Sequence, residues 1–348
     1  MSVRKHRIAV VAGDGIGPEV TEVAMELLGK VAKNRQFEVE LKRFPFGGEH
    51  YLKTGETLSD ASLAELRQHD VIYLGAVGSP KVKPGILEKG VLLKLRFAFD
   101  QYINLRPVKL YPGVECPIKG KGPEHLDYVV VRENTGDMYA GIGGTMMEGT
   151  DDEVAVQEMV YNHKQVERCL RYAFELAAAR SRKTLALIGK SNVLTYVFKL
   201  WDRVFHALGE AEFPQVKREY YHVDAACMMM VKQPERFDVM VTTNMFGDII
   251  TDLGAVTQGG MGMAASGNLN PTRAFPSMFE PVHGSAPDIA GQDKANPLAA
   301  VMSLKMLLEF LGEHDAAADV DQAIRAVTPM DFDHMSTSAI RTALLAKF

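Results

Sequence analysis

Apolar runs of strand length alternate with segments of helical period along almost the whole chain of 348 residues, and that alternation restricts the fold more than any other feature. The run 8–12 (IAVVA) precedes a stretch whose apolar positions Val20, Val23, Ala24, Leu27, Leu28 and Val31 keep the 3.6-residue period. Further strand-like runs lie at 71–74, 104–110, 126–131, 184–188, 216–222 and 237–241, most followed by a helical pattern. A sequence written this way predicts an α/β architecture. Its length predicts two domains. We place the first at 1–101 and 259–348 and the second at 102–258, with residues 136–160 forming an exposed β-arm.

Composition narrows the function classes. Hydrophobic residues make up 47%, charged residues 24%, and the net charge is −5. That acidic balance argues against a nucleic-acid partner. No apolar run approaches the length of a membrane span, so no membrane partner is expected. The opening MSVRKHRIAVVAG lacks a long apolar core and a cleavage site, and reads as a first strand rather than a secretory signal. Cys116, Cys169 and Cys227 are far apart with no CxxC. They predict free thiols in a reducing compartment, hence a cytoplasmic protein.

Several residue groups could carry chemistry. Asp248 and Asp252 in TTNMFGDIITDL stand one turn apart on one face of a predicted helix opening near Met245. Paired carboxylates repel unless solvated or bridged by a cation, and oxygen donors of this kind suit Mg2+ or Mn2+. Arg96, Arg106 and Arg132 each end a predicted element, and guanidinium forks bind carboxylates. Tyr139 in a glycine-rich loop and Lys190 at a strand end are candidate proton-transfer groups. The loop 280–291, EPVHGSAPDIAG, is rich in small residues and would let a nucleotide approach its backbone. The first strand runs into GDGIGPE, which is GxGxG rather than the GxGxxG of a Rossmann turn.

The order GDGIGPE, LRFAFDQYINLRP, VVRENTGDMY, GKSNVL, HVDA, TTNMFGDIITDL, EPVHGSAPDIAG and ANP resembles the β-decarboxylating dehydrogenases, which include isocitrate and isopropylmalate dehydrogenases. The resemblance runs over about residues 7 to 328. It implies a two-domain isopropylmalate/isocitrate dehydrogenase-like fold, not a Rossmann fold. It further implies that Arg96, Arg106 and Arg132 bind the malate carboxylates, and that Asp224, Asp248 and Asp252 hold Mg2+ or Mn2+. Lys190 is implied as general base and Tyr139 as acid. In the family the lysine and the Asp224-type aspartate reach the site from a second subunit, so a homodimer with shared sites is expected, interlocked by the arm. NAD is implied on Glu280, His283, Gly284, Ser285, Ala286, Asp288, Ile289 and Asn296.

Asp288 fits NAD on physical grounds, since a carboxylate accepts from the ribose 2′-hydroxyl and repels a 2′-phosphate. Leu92 and Leu93, with Glu88 nearby, stand where the family contacts the substrate's C3 substituent. They imply a branched alkyl group, and hence oxidative decarboxylation of 3-isopropylmalate in leucine biosynthesis. A tartrate- or D-malate-decarboxylating enzyme is the alternative, because EHYLKTGETL and SGNLNP resemble those members too. A non-catalytic regulatory subunit is the alternative of another class. The stretch MDFDHMSTSAIRTALL departs from the family's usual ending.

Overall fold

A computed structural model describes residues 4–331 and 334–348; Phe332 and Asp333, in the divergent C-terminal stretch, and the first three residues of the opening segment lie outside the described residues. The strands in chain order are β1 (Lys5–Gly13), β2 (Glu38–Phe44), β3 (Val71–Ala76), β4 (Ile103–Lys109), β5 (Asp127–Glu133), β6 (Gly143–Met146), β7 (Val154–Gln157), β8 (Thr184–Gly189), β9 (Lys217–His222), β10 (Val239–Thr242), β11 (Ala265–Leu269) and β12 (Ser277–Pro281). The chain divides into two compact units. One comprises Met1–Gln101, Lys109–Pro123 and Ala255–Phe348; the other comprises Tyr102–Val108 and Glu124–Gly254. The architecture is mixed α/β, as the alternating pattern predicts.

In the first unit the strands lie in the order β2-β1-β3-β12-β11. Neighbours run parallel except β11, which is antiparallel to β12. Ile8, Ala9, Val10 and Val11 are all buried, so β1 reads as an unbroken apolar run because both of its faces are covered. The helices Gly17–Arg35 and Leu298–Leu311 supply much of that cover. The strands β2, β11 and β12 lack this signature. β2 is an edge strand with charged, exposed positions, and β11 is the small, polar ASGNL.

Residues Glu88–Leu93 form a π-helix that runs into the short α-helix Lys94–Ala98. Asp100 then takes a left-handed backbone conformation (φ 41°) and ends the coil. The Gln101 side chain donates to the Pro276 carbonyl at 2.9 Å and is fully buried, which draws the chain away from the helix axis.

A charged node also braces this unit. The Asp321 carboxylate accepts from Tyr111 Oη at 2.6 Å and from Arg325 Nε at 2.7 Å, with Lys305 and Lys109 at 3.3 and 3.5 Å. Burial alone would raise its pKa. The tyrosine hydroxyl and the surrounding cations outweigh that and hold it well below the usual carboxylate range. A carboxylate depressed in the folded state adds stability that is complete above its unfolded pKa, roughly 4, and is lost as pH falls through the folded value. Asp321→Asn should therefore lower the unfolding free energy by about 2 kcal/mol at neutral pH. In urea titrations the gap between variant and parent should shrink as pH drops below about 4; a gap that stays constant with pH would refute this role.

In the second unit the order is β4-β5-β10-β8-β9, with β5, β10, β8 and β9 parallel. The helix His163–Ala179 opens on a capping box made by Asn162 and Gln165. The helix Thr195–Ala211 buries Trp201 completely. β6 and β7 pair as an antiparallel hairpin exposed along both strands. Ile142, Met146, Val154 and Val156 stand out from it into solvent. On the same unit Val193, Tyr196, Met228, Val231 and Ile249 are also exposed, Tyr196 at 91%.

Candidate active site

Within the second unit, β5 and the helix Asn244–Thr257 bring four of the expected residues together. Arg132 ends β5 and is only 1% exposed. Its Nε donates to Asn244 Oδ1 at 2.9 Å and its Nη1 to Asp248 Oδ1 at 2.7 Å. The other oxygen of Asp248 accepts from Tyr139 Oη at 2.8 Å. The guanidinium also lies 5.3 Å from the centre of the Tyr139 ring. Gly247 makes this crossing possible. A Cβ there would stand 2.4 Å from Arg132 Cγ, so no larger residue fits between the helix and the arginine stem.

Arg106 on β4 approaches the next turn of the helix. It donates from Nη1 to Thr251 Oγ1 at 3.0 Å and lies 3.7 Å from Asp252 Oδ1. Asn104 fixes its Nε at 2.9 Å. Burial raises the pKa of Asp252, and the neighbouring Asp248 adds to this, while Arg106 and Arg132 oppose it. The two aspartates thus share one face, as their spacing predicts.

Tyr139 is positioned by the short 3-10 turn Asp137–Ala140. Asp137 is fully buried in a left-handed conformation (φ 70°). Its carboxylate accepts from Tyr161 Oη at 3.2 Å and from the backbone N–H of Met245 at 3.0 Å. It therefore ties the tyrosine loop to the first turn of the helix that carries Asp248. Neither Asp137 nor the buried Glu133, which binds Thr135 and the Gly136 N–H, is marked by spacing; only their place in RENTGD hints at them.

Lys190 and Asp224 form a separate pair at the ends of β8 and β9. Lys190 Nζ donates to Asp224 Oδ1 at 2.6 Å, and this bond is the main reason the Asp224 pKa is lowered. Among the described residues, no three carboxylate, imidazole or thiol side chains converge on one point suited to a metal ion. Asp224 is therefore not gathered with Asp248 and Asp252 within a single chain.

The first unit holds the remaining expected residues. Arg96 lies at the C-terminal end of its helix and is buried, with Nη2 3.6 Å from the Glu280 carboxylate. Glu280 ends β12 and accepts from Asn268 Nδ2 on β11 at 2.7 Å. Glu88 opens the π-helix and accepts from the Gly85 N–H at 2.8 Å. Leu92 packs on the core around Val91 and Leu95, whereas Leu93 is half-buried and outside that cluster.

The segment after β12 starts with His283, whose Nδ1 lies 3.0 Å from the Gly284 carbonyl oxygen. Burial lowers its pKa, which favours the neutral imidazole, and its Nε2 is buried with no hydrogen-bond partner among the described residues. Ala286 is left-handed (φ 37°), and Asp288 is exposed. Asn296 Oδ1 accepts from the Leu298 N–H at 2.9 Å, at the start of the next helix.

GDGIGPE, which spacing marks only as a tight turn, braces this loop. Ile16 N–H donates to the Ser285 carbonyl at 2.8 Å, and a Cβ on Gly15 would meet that same oxygen at 1.9 Å. Asp14 is buried and accepts from the backbone N–H groups of Gly48, at 2.8 Å, and Gly78, at 3.0 Å. One carboxylate therefore joins three loops. The signal for it was an aspartate set between two glycines just after a buried strand.

The family described as isocitrate/isopropylmalate dehydrogenase matches residues 7–341. The 3-isopropylmalate dehydrogenase of Thermobifida fusca is 55% identical over 324 residues, 93% of this chain and 91% of that protein. The enzyme of the same name from Streptomyces coelicolor is 52% identical over 99% of both chains. The crystal structure of isocitrate dehydrogenase from Methylococcus capsulatus superposes with a TM-score of 0.87 at 34% identity, covering 98% of this chain and 99% of that one. With a match along nearly its whole length and relatives above half identical to it, the chain belongs to the isocitrate/isopropylmalate dehydrogenase family.

Proposed function

We propose that this enzyme oxidises and decarboxylates 3-isopropylmalate to 2-oxo-4-methylpentanoate and CO2, with NAD and Mg2+ or Mn2+, as a homodimer. The observation that carries the reading is Arg132. A buried guanidinium, suited to a substrate carboxylate, is held against an aspartate of a paired set whose other oxygen accepts from a tyrosine hydroxyl. Arg106 supplies a second guanidinium in the same unit, and Arg96 is assigned the same role from the other.

Two groups come from outside the chain: a nicotinamide to accept the hydride, and a divalent cation to supply Lewis acidity at the substrate oxygens. The donor set fits the cation. Asp248 and Asp252 are hard oxygen donors on one face, and a positive charge there would offset the burial that chiefly raises the Asp252 pKa and the repulsion that Asp248 adds. The 283–296 segment fits the cofactor. A neutral imidazole with a buried, unpartnered Nε2 suits an adenine edge, and exposed Asp288 suits ribose hydroxyls and disfavours a 2′-phosphate. Lys190 takes the hydroxyl proton as the carbonyl forms. After loss of CO2, Tyr139 returns a proton to the carbon, and Asp248 orients its hydroxyl.

The dimer is supported by the uncovered apolar residues of the second unit. Val193, Met228 and Ile249 lie on helices or beside them with side chains in solvent, a face that a second subunit would bury. It is supported too by the separation of Lys190–Asp224 from Asp248–Asp252, which two chains would close.

The test is kcat/KM for NADH production with 3-isopropylmalate, D-malate, tartrate and isocitrate. A preference for 3-isopropylmalate is expected, with NAD favoured over NADP. Leu93→Ala should cost about 10-fold with 3-isopropylmalate, from roughly 1–2 kcal/mol of lost apolar contact, and leave D-malate almost unchanged. A parent enzyme that prefers D-malate or tartrate would refute the substrate assignment.

A further inference from the structure

We propose that the first unit carries a second ligand site, for a small phosphorylated metabolite bound through its phosphate oxygens, at the end of the sheet opposite the 280–291 loop. The site is a cleft of about 360 Å3 where the N-terminal ends of β1, β3 and β12 emerge. It is lined by Lys5, Arg7, Arg67 and Arg273, with Phe275 and Phe310 as aromatic walls. Asp70 is its one acidic lining residue. A local excess of cations on a chain of net charge −5 is not a general property of the surface.

The four cations are not equivalent. Lys5 pairs with Glu40 at 2.9 Å, and Arg7 lies 3.7 Å from Asp70. Arg67 and Arg273 hold no carboxylate among the described residues. Instead each guanidinium lies over an aromatic ring, Arg67 at 4.5 Å from the Phe275 centre and Arg273 at 4.8 Å from that of Phe310. Stacking of this kind fixes the plane of the guanidinium and leaves its N–H edge available for an oxyanion. Arg273 is also in the left-handed region (φ 58°), which residues other than glycine seldom adopt, and it bonds the Phe310 carbonyl. A sparsely populated backbone conformation at a pre-set arginine with no carboxylate partner among the described residues is a feature of ligand clamps. Two pre-oriented forks beside Lys5 and Arg7 match a phosphate better than a single carboxylate, because a phosphate offers more acceptor oxygens and more charge.

The cleft is remote from the chemistry. β1 runs from Lys5 in the cleft to Gly13 beside the cofactor loop, roughly 26 Å at the rise of a parallel strand. The proposal does not rest on the assigned substrate or cofactor.

The probe is inorganic pyrophosphate, titrated calorimetrically into the full-length protein without divalent cation at physiological ionic strength. Saturable one-to-one binding is expected, retained when NAD is present in excess. Arg67→Gln and Arg273→Gln should each weaken it by about 10-fold, while the exposed Lys119→Gln leaves it unchanged. Both arginines are exposed and without ion pairs, so folding should survive, and unchanged KM and kcat would check it. Binding that disappears with NAD would place the anion in the cofactor loop and overturn the proposal. So would equal weakening by Lys119→Gln, which would mean diffuse charge attraction only, or an absence of saturable binding.

Discussion

Replacing Lys190 with methionine is expected to lower kcat by about 1,000-fold, within the range a positioned acid or base contributes. Melting temperature should stay close to that of the parent. Among the described residues Lys190 makes one salt bridge, to an exposed Asp224, and its removal opens no cavity in the core. The sharper form of this experiment uses two inactive proteins. Lys190→Met stands on one side of the proposed shared site and Asp248→Asn on the other. If each site draws Lys190 from one subunit and Asp248 from its partner, a mixed dimer contains one site with neither lesion. Equal refolding of the two variants should therefore recover about a quarter of parental activity, since half of the dimers are mixed and each has one intact site. Recovery of none would mean that both residues serve the same site from the same chain, and the shared arrangement would be wrong.

Arg132→Lys is expected to be nearly as damaging as Arg132→Ala, with kcat/KM down about 1,000-fold, or roughly 4 kcal/mol of transition-state binding. The reason is geometric. Nε reaches Asn244 and Nη1 reaches Asp248 from one rigid plane, and a single ammonium cannot serve both while also meeting a substrate carboxylate. The alanine variant should also lose about 2–3 kcal/mol of stability, because the buried Asn244 loses a partner and the guanidinium stem leaves a void under Gly247. The lysine variant fills part of that void and should lose less. Steady-state kinetics and urea unfolding on the same two proteins separate these effects. A lysine variant with near-parental kcat/KM would show that charge alone, not the fork, is what the site uses.

Much of the fold was legible because its strands are covered on both faces. β3, β5, β8 and β10 are nearly all buried, as is the centre of β1 from Ile8 to Val11, and a strand of that kind cannot avoid being largely apolar. β2, β11 and β12 were not legible, for different reasons. β2 is an edge whose exposed positions carry charge, and β11, ASGNL, is built mostly of small and polar residues with no apolar run. β12 places the buried Glu280 inside a strand, so its sequence breaks the apolar pattern at the residue that holds Arg96 and Asn268. In the site, the Asp248–Asp252 face followed from helical spacing, and the helix does begin beside Met245. The arginines needed the fold, since nothing local tells a clamp from a solvated side chain. Asp14 and Asp137 were missed because their work is done on backbone N–H groups of distant loops, and hydrogen bonds of that reach leave no periodic trace. Leu92 and Leu93 are both half-buried, and they differ in that Leu92 packs against the core cluster while Leu93 lies outside it, a distinction that their adjacent places in the sequence do not reveal.

The π-helix at Glu88–Leu93 sets Leu93 just ahead of the helix that carries Arg96. A π-turn holds one residue more than the α-turn it replaces, so it acts as an adjustable joint in the chain. Deleting a single residue within 88–91 would let the coil relax to α geometry and turn the preceding side chains by about 100° relative to Arg96, while the carboxylate clamp stays put. New substrate side groups in this family need not wait for the right point substitution at a fixed position. A one-residue change of chain length could re-aim the whole recognising face at once, and libraries that vary length here should change specificity faster than libraries that vary only residue type.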